Sequence, residues 1–140
     1  MKHKFIIIIT GLILFSGVSC TKNLEDKVDG TWRRINVATP NSDDFEEWKF
    51  ETGNFSVSKF SSSSGTTTLE AYGEYEVKYK KFVKRYIYIT KCSDAYYQAN
   101  FRIDKLSKTT LTLYRDNLIK THFLQNPYLG PLEYLEFVKQ

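Results

Sequence analysis

From Gly30 onward apolar residues recur at every second position, and turn-forming residues interrupt the pattern every eight to twelve positions. A period of two marks a strand with one wet and one dry face, and no stretch keeps a 3.6-residue period long enough for a helix. Strands are expected over Thr31–Val37, Glu46–Glu51, Asn54–Phe60, Thr67–Tyr79, Phe82–Thr90, Tyr96–Lys105, Thr109–Arg115 and Leu132–Lys139, with Leu118–Phe123 as a candidate ninth. The longest turns Leu69, Ala71, Gly73, Tyr75, Val77 and Tyr79 to one side and Glu70, Tyr72, Glu74, Glu76 and Lys78 to the other. The first set is the interior one. Ala71 and Gly73, small residues in mid-strand, mark where a sheet bends and another backbone comes close. The strand from Tyr96 repeats the design, with Tyr97, Ala99, Phe101 and Ile103 inward and Gln98, Asn100 and Arg102 outward.

One wet and one dry face imply an antiparallel sheet closed on itself or on another sheet. The connections at Thr52-Gly53, Lys80-Lys81 and Leu106–Lys108 are short, whereas those at Ala38–Phe45, Ser61–Thr66, Lys91–Ala95 and Asp116–Pro131 are longer. Short and long alternate throughout, as they do when an up-and-down meander places successive connections at opposite ends. The expected fold is therefore all-β, a small antiparallel up-and-down β-barrel of about eight strands. One end is tight, and the other, fringed by loops, is the candidate mouth.

The N-terminus breaks the pattern. Lys2 and Lys4 precede an apolar run of 11 residues, Phe5–Phe15, followed by the small residues Ser16, Gly17 and Ser19. That is a secretory signal peptide; a membrane span needs about 20 apolar residues. Gly17-Val18-Ser19-Cys20 resembles the lipobox of bacterial lipoproteins, with Gly17 where that family usually has Leu. The resemblance implies that Cys20 is the lipid attachment site. Acyl chains contribute about 0.8 kcal/mol per buried methylene, so two or three would hold the protein at a membrane. The expected division is a signal peptide over 1–19, a lipidated tether over 20–29 and a barrel domain over 30–140. Drawn out, the nine residues Thr21–Asp29 reach at most about 30 Å, which keeps the tight end near the bilayer.

Processing also changes the charge. The chain has 20 basic and 16 acidic residues, and Lys2 and Lys4 leave with the signal, so the mature protein carries a formal charge of only +2. A nearly balanced exported domain gives no reason to expect nucleic acid. With Cys20 acylated, Cys92 is the remaining thiol; no intrachain disulfide is then available, and stability must come from burial.

Gly30-Thr31-Trp32, at the head of the first strand, looks like the Gly-x-Trp signature of lipocalins. Around it stand a meander of about eight strands, Trp48-Lys49-Phe50 followed by Gly53, and an aromatic last strand over Tyr134–Val138. Together they resemble the small lipocalin-like lipoproteins of Gram-negative bacteria, over roughly Asp29–Lys139. The resemblance implies an outer-membrane, lipid-anchored protein of the cell envelope. It also implies barrel closure by Trp32 stacked against a late basic side chain, for which Arg115 is the candidate; Lys139 is the only basic residue in the last strand.

Catalytic chemistry has little to work with. The mature chain has one histidine, His122, and no Gly-x-Ser-x-Gly elbow or phosphate-cradling glycine loop. One histidine and one cysteine do not make a zinc site. Neither an enzyme nor a cofactor is expected, nor a bound metal. Asp43, Asp44, Glu46 and Glu47 suit the first turn of a short helix better than a calcium loop. The basic run Lys78, Lys80, Lys81, Lys84, Arg85 and Lys91 suits a hairpin edge that blocks further strand pairing, or contact with anionic headgroups. Cys92 is expected to be buried.

Binding depends on parity across the Lys80-Lys81 turn. An even loop brings Tyr86 and Tyr88 inside beside Tyr75 and Val77, whereas a three-residue loop brings Val83, Ile87 and Ile89 inside. Glu76 opposite Arg85 favours the even loop, because opposite charges paired across strands gain about 0.2–1 kcal/mol. Tyr75, Tyr86, Tyr88, Tyr97 and Phe101 are then the candidate ligand-binding residues. They either fill the lumen or line a narrow cavity. Two functions follow: a membrane-anchored carrier of a small apolar ligand, as the lipocalin resemblance implies, or a non-catalytic interaction module that binds a protein or glycan partner through the mouth loops.

Overall fold

The alternation carries through to a closed sheet. In the computed structural model, which describes residues 21–35, 43–81, 83–115 and 134–140, a short helix α1 over residues 21–28 precedes eight strands. These are β1 (Gly30–Arg34), β2 (Phe45–Glu51), β3 (Asn54–Ser61), β4 (Thr66–Lys80), β5 (Lys84–Thr90), β6 (Asn100–Leu106), β7 (Thr110–Arg115) and β8 (Tyr134–Lys139). Every neighbouring pair is antiparallel, and β8 returns to β1 to close an up-and-down barrel in chain order. The segment Leu118–Phe123 lies outside the described residues, as do Cys20 and His122.

Each strand supplies its inward set to one core: Trp32, Trp48 and Phe50, Phe55 and Val57, Ala71, Tyr75 and Val77, Ile87 and Ile89, Phe101 and Ile103, Leu111 and Leu113, Leu135 and Phe137. Trp48 stands at the centre. Its ring meets Phe55 at 5.2 Å, Tyr97 at 5.7 Å, Phe101 at 5.5 Å and Phe137 at 5.1 Å between centroids, so one indole bridges walls contributed by β3, β6 and β8. An eight-stranded barrel is just wide enough for side chains to fill it, and edge-to-face rings pack that space well.

Two irregularities redirect side chains. Val57 pairs with Ala71 but Ser58 pairs with Leu69, leaving Glu70 as the extra residue of a bulge. A one-residue insertion flips the face of everything before it. Leu69, expected inside, is consequently 58% exposed. Tyr79 is also exposed, because β4 runs past its last β3 pair at Glu74 and out of the core's reach.

The β4–β5 connection has three residues, with Lys80 paired to Lys84 and Val77 to Ile87. Ile87 and Ile89 therefore enter the core, and Tyr86 and Tyr88 lie on the other face of β5, against the expectation of an even loop; Tyr86 is nevertheless buried there, outside the core cluster, and Tyr88 is half-buried. Magnitudes explain the outcome. Burying an isoleucine side chain gains about 1.5–3 kcal/mol, more than the pairing of Glu76 with Arg85 could return. Val83 does not follow the isoleucines inward but stays in the turn, exposed. Gly73 behaves as its position suggests: a Cβ there would stand 2.9 Å from Cys92 Cα and 3.0 Å from Thr90 O. The backbone at Cys92 crosses at the point where β4 has no side chain.

Residues 21–28 do not form an extended tether. As a helix they span about 12 Å, and Leu24 and Val28, one turn apart, are buried against the tight end. Trp32 Nε1 donates to Val28 O at 2.7 Å, Tyr75 donates its hydroxyl proton to the Asp29 carboxylate, and Lys139 Nζ donates to Asp29 O at 2.8 Å. The helix seals that pole.

Candidate functional site

With the tight end capped by α1, the open pole is the one carrying the longer connections. Residues share faces there by the same parity that builds the core. Arg34 lies two positions beyond Trp32, Glu46 two before Trp48, and Lys59 two beyond Val57, so all three reach the mouth from the inner side of the wall. The Glu70 bulge adds a fourth charged group, and Thr68 pairs with Lys59. A recess of about 470 Å3 lies among these residues, Asp44, Phe45, Phe60 and Ser61.

Glu46 organises the floor. Its carboxylate accepts from Trp48 Nε1 at 2.6 Å, meets Arg34 Nη1 at 3.5 Å, and accepts from the Tyr97 hydroxyl at 3.5 Å. Burial, and then the negative charge of Glu46, push the Tyr97 phenol well above the usual tyrosine range. Lys59 Nζ pairs with Glu70 at 3.4 Å across the β3–β4 wall. At the rim, Asp44 accepts from both Ser62 Oγ and Ser62 N at 2.6 Å, and these hydrogen bonds hold its carboxyl below the usual range. Phe45 stacks on Phe60 at 4.8 Å, with the Arg33 guanidinium 3.7 Å from the Phe45 centroid. The recess thus offers charges of both signs and hydrogen-bonding groups beside the stacked Phe45 and Phe60 rings.

The acidic run does not start a helix. Glu46 and Glu47 alternate within β2, the first turned into the mouth and the second paired with Arg33 at 3.0 Å on the outer face. Among the described residues no cluster of histidine, cysteine and carboxylate side chains has the arrangement of a metal site.

Of the five expected ligand-binding residues, Tyr75, Tyr97 and Phe101 belong to the core. Tyr75 sits near the sealed pole against Phe50, with 5.0 Å between centroids, Phe101 packs on Trp48, and Tyr97 reaches up to the mouth. Tyr86 and Tyr88 contact one another on the other face of β5 at 5.8 Å, with Lys80 Nζ 5.5 Å from the first ring and Lys78 Nζ 5.9 Å from the second. These two are no part of a lumen. Trp32 is buried at the sealed pole with Lys139 rather than Arg115 beside it: Lys139 Nζ lies 5.0 Å from its ring, and the Lys139 backbone is its direct partner in the β1–β8 ladder. Gly30 makes this possible: at φ 131° it lets the Lys139 side chain pass where a Cβ would stand 2.6 Å from Cε. Arg115 instead pairs with Phe101 in the β6–β7 ladder, near the mouth. It is buried over Tyr96 at 4.5 Å and Phe101 at 5.3 Å, donating to Tyr96 O at 3.0 Å. Cys92 is half-buried, and desolvation pushes its thiol pKa up.

Arg34, Glu46 and Lys59 were not among the expected site residues, although each shares its parity with a core aromatic or valine. The signal was a charged residue at the end of an inward-facing set. Comparison with known proteins adds no further assignment. No protein family, no curated protein and no solved structure matches the chain.

Proposed function

We propose that the protein is a lipocalin-like lipoprotein of the bacterial cell envelope, anchored through Cys20, which engages a polar segment of a protein or glycan partner at the barrel mouth without catalysing a reaction. The observation that carries this reading is Trp48: its contacts with Phe55, Tyr97, Phe101 and Phe137 occupy the middle of the barrel where a carried apolar molecule would sit. Apolar-ligand carriage, the other function the sequence suggests, requires that indole to move. Recognition at the mouth would use a recess that, among the described residues, is lined by groups of both signs. The two poles also suit the division of labour. Anchoring through Cys20 places the lipid next to α1, and the recess lies at the opposite end.

A photo-crosslinking residue introduced at Ser61, beside the recess, tests this in the native cell, with the same residue at Lys108, at the tight end, as the control. The expected result is a discrete adduct from Ser61 that is absent from Lys108 and weakened by Lys59→Glu. Equal adducts from both poles, or none from Ser61, would overturn the reading.

A further inference from the structure

β4 outlasts one of its partners. Its pairing with β3 ends at Asn54–Glu74, but its pairing with β5 continues to Lys80–Lys84. Residues 75–80 therefore carry the β4–β5 hairpin on past the Thr52–Gly53 turn by roughly 20 Å of strand, at about 3.3 Å per residue. The hairpin turns at the pole where α1 docks. Val83, in the turn, is 81% exposed, the most exposed large hydrophobic residue among those described, and Tyr79 on the same hairpin is exposed too. Lys80, Lys81 and Lys84 surround Val83, all exposed, and none of them forms an ion pair with a described carboxylate. The sequence has no acidic residue between Glu76 and Asp94, and Glu76 is taken by Lys78 at 2.7 Å.

Strand-edge protection accounts for part of this. Lysines along an unpaired edge discourage a further strand, and Lys78 and Lys80 occupy such an edge. It does not account for a bare valine at the tip, where no ladder remains to protect. An apolar side chain ringed by cations is what an anionic bilayer interface accepts, the valine among the upper acyl carbons and the ammonium groups among the phosphates.

We propose that the β4–β5 tip is a contact for an anionic phospholipid surface, with Val83 entering the interface and Lys80, Lys81 and Lys84 meeting the headgroups. In the cell this contact rests on the anchored reading above: lipid at Cys20 and the hairpin tip at the same pole give two points of attachment, which hold the barrel upright with its mouth away from the bilayer. The contact itself needs no acyl chain.

Vesicle flotation of the mature chain carrying Cys20→Ser, which cannot be acylated, tests it directly. The expected result is binding to phosphatidylglycerol–phosphatidylcholine vesicles that falls with added salt, and none to phosphatidylcholine alone. A basic residue near an anionic surface is worth about fivefold in partitioning, so K80E/K81E/K84E lowers binding by at least about a hundredfold, whereas Lys59→Glu at the mouth leaves it unchanged. An environment-sensitive dye on Val83→Cys shifts to the blue on the anionic vesicles. No preference for anionic vesicles, binding indifferent to the lysine reversals, or a dye that stays in water would each overturn the proposal. Acylation at Cys20 is read separately, from the mass of the mature protein isolated from membranes, so the anchor and the contact stand or fall independently.

Discussion

Tyr75 and Tyr97 hold opposite poles of the same core, and each spends its hydroxyl on a carboxylate, Asp29 below and Glu46 above. Burial is the main force raising both phenols, reinforced at Tyr75 by its hydrogen bond to Asp29 and at Tyr97 by the charge of Glu46. A phenol whose folded pKa lies above its unfolded value of about 10 favours the fold fully below that pH, and the contribution is lost as pH rises toward the folded value. Urea midpoints are accordingly expected to stay level from pH 7 to 9 and to fall above pH 10, more shallowly in a Tyr75→Phe/Tyr97→Phe double variant. A midpoint indifferent to pH up to 11 would contradict this. Much at this scale could be read from the chain. Gly73 was expected to admit another backbone and does so at Cys92. Lys139, the only basic residue in the last strand, had the right position to cover Trp32, whereas Arg115, near the mouth, did not.

Periodicity located the strands because each buries one face, but it could not count turn residues or bulges. Tyr86 and Tyr88 illustrate the first limit: apolar and aromatic residues fill both parities of β5, so the pattern does not choose between them, and the three-residue turn is what accompanies Ile87 and Ile89 in the core. Leu69 illustrates the second, since the bulge that turns it outward leaves no mark on the local pattern. The same bulge sets Glu70 beside Lys59, so that half of the mouth was hidden from the sequence while Glu46 was not. Helix α1 is a third case. Its eight residues are too few to be stable alone, and docking of Leu24 and Val28 supplies what propensity cannot. Leu24→Ala is therefore expected to cost about 2–5 kcal/mol, measured by urea denaturation. A loss under 0.5 kcal/mol would mean that the helix merely rests on the barrel.

Closure in chain order leaves no free sheet edge along most of the wall and gives the molecule two unlike ends. α1 and the short turns occupy one pole, and the recess ringed by Arg34, Glu46, Lys59 and Glu70 occupies the other. The buried aromatic core links these ends to the proposed function, because among the described residues Trp48 and the rings around it occupy the middle of the barrel. Native mass spectrometry of the mature protein isolated from its own membranes tests that claim most directly. The expected result is the acylated polypeptide free of any copurifying apolar small molecule. A stoichiometric apolar ligand that dissociates only when the fold is disrupted would place binding inside the barrel and contradict it.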